Sequence, residues 1–198
     1  MMDKFKLGLN LPTDPRWVNI AEKNIADILT DHAYCEQKAA SSCISLIVRF
    51  PEKTKLVELM TAIVAEEWSH FERVLIKMKE RGFNLGYQRV DDYVKELSKI
   101  TKKGGSRDEQ LMDALLMNAL IEARSCERFR LLWKHIPDED LKQFYYELMV
   151  SEAGHYRNFL DLAMAYCGRE KVMIRWQKLL KEEAKIMISL DFRGDRIH

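Results

Sequence analysis

Two copies of the motif Glu-x-x-His contain the residues of this chain that are best suited to chemistry. The first copy pairs Glu67 with His70, and the second pairs Glu152 with His155. Residues three apart on an α-helix lie on the same face, so each motif directs a carboxylate and an imidazole toward one point. One such motif is weak evidence, because surface helices produce it by chance. Two copies in one chain are a much stronger signal.

A lone glutamate precedes each motif at nearly the same distance. Glu36 lies thirty-one residues before the first motif, and Glu122 lies thirty residues before the second. Pro51 and Pro137 each follow their lone glutamate by fifteen residues. The chain therefore repeats one helical hairpin, with the same residue types at matching heights. Unrelated surface glutamates have no reason to repeat this pattern.

Together these residues match the ligand set of a binuclear metal site. One Glu from each of two helices, with Glu-x-x-His from two others, is the arrangement of ferritin-like di-iron and di-manganese proteins. The predicted metal-binding residues, which are catalytic through the metal, are Glu36, Glu67, His70, Glu122, Glu152 and His155. All four glutamates occupy positions where the apolar stripes of the helices require a core residue.

Burial makes a metal the favoured interpretation of the four glutamates. An unpaired buried carboxylate costs several kcal/mol, and neighbouring carboxylates also repel each other. Two divalent cations neutralise four carboxylates, whereas the alternative is a buried polar network without metal. Oxygen-rich ligation with one imidazole per ion favours iron, with manganese as an alternative, over structural zinc.

The apolar periodicity predicts helices throughout and no β-strand. The predicted helices span residues 14–24, 26–49, 52–81, 107–135, 137–167 and 170–190, with a short helical stretch at 91–100. Gly82 suits a left-handed helix end. The long connection that follows suits a crossover better than a tight turn. We therefore predict an all-α, ferritin-like four-helix bundle with a long crossover and an additional C-terminal helix, forming one domain over residues 1–198.

The composition indicates in which cellular compartment the protein functions. The 198 residues are 47% hydrophobic and 32% charged, and the formal net charge of +1 creates no global attraction to nucleic acid or anionic lipid. No window is apolar enough for a membrane span. The four cysteines lack metal-site and disulfide spacing, which favours buried free thiols in a reducing compartment. We expect a cytoplasmic protein without a membrane partner.

Several residues near the six candidates are assigned supporting roles. His32 lies one turn before Glu36, and we expect it to hydrogen-bond to a ligand. Arg124 could orient an outer carboxylate, whereas Glu127 is interpreted as an ordinary helix charge. Basic residues cluster in three segments, and a solvated face explains each cluster unless they converge into a phosphate-binding rim. The clusters are Arg73, Lys77 and Arg81; Lys95, Lys99, Lys102, Lys103 and Arg107; and Arg193 with Arg196.

Four strings in the chain resemble those of the bacterial tRNA 2-methylthio-N6-isopentenyladenosine hydroxylases. They are DHAYCEQKAA at 31–40, EEWSHFE at 66–72, MKERG at 78–82 and SEAGHY at 151–156. The resemblance implies a non-haem di-iron monooxygenase that inserts one oxygen atom from O₂ into the isopentenyl group of a modified adenosine beside the tRNA anticodon. By analogy with related di-iron sites, Glu67 and Glu152 would bridge the metals, and Glu36 and Glu122 would be terminal ligands.

The resemblance also implies partners. Two electrons must come from a reductase, because the chain has no Rossmann glycine pattern, flavin motif or iron–sulfur spacing. A monomer or small homo-oligomer is expected. The main alternative is a ferritin or bacterioferritin-type iron oxidase or storage protein, which would assemble into a cage. A metal-free helical interaction module is the third possibility, and it leaves four buried glutamates without a function.

Overall fold

A computed structural model describes residues 7–102, 104–190 and 193–197, and within these ranges the regular structure is helical, without strands. The all-α prediction is therefore confirmed. The α-helices are α1 (Trp17–Ala21), α2 (Ile25–Arg49), α3 (Thr54–Glu80), α4 (Asp92–Ile100), α5 (Arg107–His135), α6 (Glu139–Cys167) and α7 (Arg169–Ser189), and a 3₁₀ turn, Glu22–Asn24, joins α1 to α2. None of these helices is long and apolar enough to span a membrane.

The described residues form two compact units. Residues 16–90 and 193–197 make the α2–α3 unit, and residues 7–15 and 91–190 make the α5–α6 unit. The crossover lysine Lys103 lies outside the described residues. Each unit is built around one helical hairpin, and each hairpin carries one of the two Glu-x-x-His motifs.

In the α2–α3 unit, the two long helices bury one stripe each. Residues at three- and four-residue steps on both helices are nearly inaccessible to solvent, as the periodicity requires. On α2 they include Leu29, Ala33, Glu36, Ala40 and Cys43, and on α3 they include Met60, Ile63, Glu67, His70 and Val74. Gly82 ends α3 in the left-handed conformation, with φ of 71°, as predicted.

A tail from the far end of the chain completes the α2–α3 unit. The backbone N–H of Ile197 donates to Asp31 Oδ2 at 2.7 Å, and the side chain of Ile197 is fully buried. The guanidinium of Arg196 lies 3.8 Å from Asp31 Oδ1, and Arg89 donates to Asp195 at 2.8 Å. The tail is therefore held against the start of α2 by both charge and burial.

In the α5–α6 unit, α5 is the central helix. It is buried on nearly all sides, because α4, α6 and α7 all pack on it. Ser106 and Glu109 form a capping box at its start, with each side chain accepting the backbone N–H of the other residue at 3.2 and 3.0 Å. A helix covered in this way needs polar partners for any charged residue it contains.

Some helix starts differ from the predicted ones. The first helix begins at Trp17 rather than at residue 14, because Thr13 does not cap it. The N–H and hydroxyl of Thr13 instead donate to Glu127 Oε2 at 3.0 and 2.5 Å. The helix predicted from residue 137 begins at Glu139, because the side chain of Asp138 accepts the N–H of Leu141 and is the N-cap.

A buried ion pair fixes α7 to α5. Arg175 donates to the two carboxylate oxygens of Asp113 at 2.8 and 2.6 Å, and Asp113 also accepts the backbone N–H of Lys102 at 2.7 Å. Burial alone raises the pKa of Asp113, but these hydrogen bonds outweigh it and hold the pKa below its ordinary value of 3.8. The pair therefore stays charged at neutral pH.

Replacing Asp113 with Asn should destabilise the protein by about 3 kcal/mol, because it leaves Arg175 buried beside a neutral group. Since the folded-state pKa of Asp113 is lowered, its contribution is fully present above the unfolded-state pKa of about 3.9 and disappears as the pH falls through the lowered value. Urea unfolding at pH 7, 5 and 3 measures this. The exposed Asp108→Asn on the same helix is the control, and equal stability of both variants at pH 7 would contradict the prediction.

Candidate metal centre

The α2–α3 unit brings together the three predicted ligands of the first hairpin, here called the α2–α3 triad: Glu36, Glu67 and His70. Their side chains are buried, and Glu67 is 0% exposed. His70 Nδ1 lies 3.6 Å from Glu36 Oε2 and 3.6 Å from Glu67 Oε2. One donor atom from each residue lies within 4.8 Å of the others. This spacing is suited to two carboxylates and one imidazole around a single cation.

The α5–α6 unit contains the matching α5–α6 triad: Glu122, Glu152 and His155. All three are buried, and His155 Nδ1 lies 3.2 Å from Glu152 Oε2. One donor atom from each again lies within 4.8 Å of the others. The internal repeat seen in the sequence is thus also a repeat of donor geometry.

His32 hydrogen-bonds to a triad member, as predicted. It is fully buried, and its Nε2 lies 2.6 Å from Glu36 Oε1. The other carboxylate oxygen of Glu36, Oε2, is the one that lies near His70. His32 therefore fixes the orientation of the Glu36 carboxylate: it holds Oε1 and leaves Oε2 directed toward His70.

Arg124 does not orient a triad carboxylate, which corrects the prediction for it. Its guanidinium donates to Glu183 and Glu127, with Nε 3.1 Å from Glu183 Oε1 and Nη1 2.6 Å from Glu127 Oε2. Thr13 also contacts both Arg124 and Glu127, so Glu127 is not an ordinary surface charge. The sequence contained one signal for this network: Glu183 falls within the apolar stripe of α7.

The hydroxyl of Tyr93 extends this network and lies 3.3 Å from Glu183 Oε1. Burial, and then the neighbouring charge of Glu183, raise the pKa of Tyr93 well above its usual value. Burial also raises the pKa of Glu183, and the guanidinium of Arg124 opposes that effect. The network thus joins α4, α5, α7 and the segment before α1, and it keeps the tyrosine protonated.

The donor set around each triad fits a hard cation. Cys126 lies close to Glu152 of the α5–α6 triad and donates its thiol to the carbonyl of Met149 at 3.3 Å. Burial, together with the charge of Glu152, raises the pKa of this thiol far above its usual value, so it stays protonated. The donors that come together in the two triads are carboxylate oxygens and imidazole nitrogens. Such donors suit iron rather than structural zinc.

Two curated relatives carry the same activity in their names. The chain is 36% identical over 190 residues to the tRNA 2-(methylsulfanyl)-N(6)-isopentenyladenosine(37) hydroxylase of Pseudomonas putida, covering 96% of this chain and 91% of the relative. It is 29% identical, over an alignment of 241 residues, to the enzyme of the same name from Salmonella typhimurium. This match covers 96% of this chain and 87% of the relative.

A solved structure supports the fold. It is described as a protein with aldehyde deformylating oxygenase activity from Synechococcus, and it superposes on this chain with a TM-score of 0.90. The two are 34% identical, and the match covers 96% of this chain and 94% of the other. The ferritin-like fold class predicted from the sequence is confirmed.

The family model described as tRNA-(MS[2]IO[6]A)-hydroxylase (MiaE) matches residues 1–198, the full length of the chain. The resemblance noted from four short strings therefore extends over the whole sequence. The two triads lie in the part of the chain that the family model covers. On this evidence the chain belongs to the tRNA-(MS[2]IO[6]A)-hydroxylase family, whose members are tRNA-modifying hydroxylases.

Proposed function

We propose that this protein hydroxylates the isopentenyl group of 2-methylthio-N6-isopentenyladenosine in tRNA, using O₂ and two iron ions. The observation that carries the proposal is the pair of matched, buried triads in a chain of this family. The ions would be held by Glu36, Glu67 and His70, and by Glu122, Glu152 and His155. The bridging roles of Glu67 and Glu152 remain predictions.

Charge balance supports one divalent ion per triad. Two ionised carboxylates and one neutral imidazole carry a charge of −2, which a divalent cation neutralises in an environment where an unbalanced charge is costly. Bound iron would supply the O₂ activation that oxidation of a C–H bond requires. The protein's own residues hold the metal ligands in place and orient them. His32 fixes the carboxylate of Glu36, and the buried helix faces exclude water from the donor atoms.

The reaction needs an external source of electrons. One oxygen atom of O₂ enters a methyl group of the isopentenyl chain and converts it to an alcohol. The other atom leaves as water, which consumes two electrons and two protons. The sequence contains no flavin, nicotinamide or iron–sulfur motif, so a separate electron-donating reductase is part of the proposal. Because the substrate is tRNA, we place the protein in the cytoplasm. We also expect it to be a monomer or small homo-oligomer.

Turnover tests the proposal directly. Iron-loaded protein, a chemical or enzymatic reductant and O₂ are incubated with tRNA bearing the methylthio-isopentenyl base, and the nucleosides are analysed by mass spectrometry. We expect one added oxygen per modified base, reduced at least about a hundredfold in Glu67→Ala and in His155→Ala, because each loses a metal ligand. The matched control is Glu66→Ala, an exposed glutamate next to Glu67.

Two competing activities are measured in the same preparation. The Synechococcus protein carries aldehyde deformylating oxygenase activity, so a long-chain aldehyde is offered as the competing substrate. A ferritin-type iron oxidase would instead deposit iron and elute as a large cage in size-exclusion chromatography. Conversion of the aldehyde without tRNA product, or cage formation, would overturn the tRNA assignment.

Metal binding should stabilise the fold measurably. Ligand at one hundred times its dissociation constant adds about 2.7 kcal/mol, and for a chain of this size this corresponds to a rise in Tm of about 5–10 °C. The measurement is a thermal melt with and without anaerobic Fe²⁺. The shift should be clearly smaller in Glu152→Ala, which loses a ligand of one triad, and unchanged in Glu66→Ala. An equal shift in both variants would place the metal elsewhere.

His32 should tune the metal rather than bind it. Replacing His32 with Ala removes the hydrogen bond to Glu36 Oε1, which we expect to weaken metal affinity about 10- to 100-fold, as loss of an outer hydrogen-bond partner does. Competition with a chromophoric chelator measures this affinity without turnover. The control is His135→Ala, an exposed histidine at the end of α5. Unchanged affinity in His32→Ala would show that Glu36 is oriented without it.

A further inference from the structure

The solvent-facing side of α7 carries a row of lysines. The exposed residues at successive steps of three, four, three and four are the α7 lysine face: Lys171, Ile174, Lys178, Lys181 and Lys185. Steps of three and four keep side chains on one stripe of a helix. At 1.5 Å per residue, the row from Lys171 to Lys185 extends over about 21 Å. Four of its five residues are cationic.

The row is a local excess of charge rather than a property of the whole surface. The formal net charge of the chain is only +1. The exposed charged residues of α6 are mostly acidic, namely Glu139, Asp140, Glu147, Arg157 and Asp161. A solvated helix face needs polar residues, but it does not need them to share one sign. The α7 lysine face therefore calls for an explanation beyond solubility.

The opposite side of α7 makes the lysine face a fixed platform. Val172, Trp176 and Leu179 are buried against the rest of the α5–α6 unit. Arg175 is anchored to Asp113 by the ion pair described above. Since the helix cannot rotate without breaking these contacts, the lysines are presented to solvent in a constant order and spacing.

One member of the crossover cluster predicted from the sequence, Lys102, lies close to this face. Lys102, in the crossover, lies 4.0 Å from Glu109 Oε1, and Lys171 lies 3.5 Å from the same oxygen. Both lysine side chains are about half exposed, at 52%. Exposed ion pairs contribute about 0–1 kcal/mol, so these lysines can exchange a carboxylate for another anion at little cost.

We propose that the α7 lysine face, together with Lys102, binds the phosphate backbone of tRNA. This inference rests on the proposed function for the identity of the polyanion. Lysines in a row act as point charges that neutralise successive phosphates without reading sequence. A membrane-binding helix instead turns its apolar side toward the bilayer, and the apolar side of α7 is buried in protein.

The test is the salt dependence of tRNA binding. Fluorescently labelled, unmodified tRNA transcript is titrated with protein at several salt concentrations, and affinity is followed by anisotropy. The variant is K178Q/K181Q, chosen because Lys171 and Lys185 also pair with Glu109 and Glu182. Each lost phosphate contact lowers the slope of log affinity against log salt by about 0.7–0.9, so the double variant should lose about 1.5 in slope and about 30-fold in affinity at 0.1 M salt.

The matched control removes the same charge elsewhere. Lys55 and Lys79 are exposed on α3, so K55Q/K79Q changes the net charge equally without touching the α7 lysine face. The control should bind tRNA with the wild-type slope. An unchanged slope in K178Q/K181Q, or an equal loss in the control, would overturn the proposal, as would binding to vesicles containing anionic lipid that depends on these lysines while tRNA binding does not. Circular dichroism verifies that both variants are folded.

Binding and turnover separate the two proposals. Binding to the transcript needs neither iron, reductant nor the modified base. If wild-type protein binds with a slope that depends on Lys178 and Lys181 but yields no hydroxylated base, the proposed function fails and the tRNA-binding face stands. If the base is hydroxylated and the slope does not depend on these lysines, the face is wrong and the function stands.

Discussion

Each helical hairpin of this protein buries two carboxylates beside one imidazole, and the cost of that burial governs the rest of the structure. Charged groups can stay inside a protein only with compensating partners. One cation can neutralise the carboxylates of a triad only if all of the donor atoms lie close to it. The two helices of a hairpin must therefore keep their register to within a fraction of a turn. In the α2–α3 unit, Glu36 and His70 come from different helices, and their 3.6 Å approach exists only in one register.

Polar contacts around the triads orient one carboxylate and attach the helices to neighbouring segments. His32 fixes one oxygen of Glu36, and the C-terminal tail holds Asp31 on the same helix. In the α5–α6 unit, Arg124 and Asp113 project from α5 and bind partners on other elements. Buried ion pairs of this kind add little net stability compared with apolar packing, but breaking one is costly. They therefore select one arrangement of the helices around Glu122.

Sequence periodicity predicted the long helices and which side chains of each hairpin lie together, because both depend on spacing within a helix or within a repeated hairpin. It was insufficient for contacts between distant segments. Arg124 and Glu183 are 59 residues apart, and no local pattern reveals which face of α7 meets α5. The same limit explains the wrong helix start near residue 14: Thr13 has the composition of a cap, but tertiary contact with Glu127 takes its hydroxyl. The proximity of Lys102 to α7 could likewise be seen only in the structure.

The tail that meets Asp31 has a consequence for synthesis on the ribosome. Residues 16–90 are synthesised before the second hairpin, yet Ile197, the partner of Asp31, lies 166 residues further along the chain. The α2–α3 hairpin must therefore wait, incomplete, while the whole second hairpin is made. Contacts of such high sequence separation slow folding, because the long intervening chain must first be closed into a loop. A fragment cut after residue 90 would lack the tail that contacts Asp31, so the first hairpin depends on a segment made after the second.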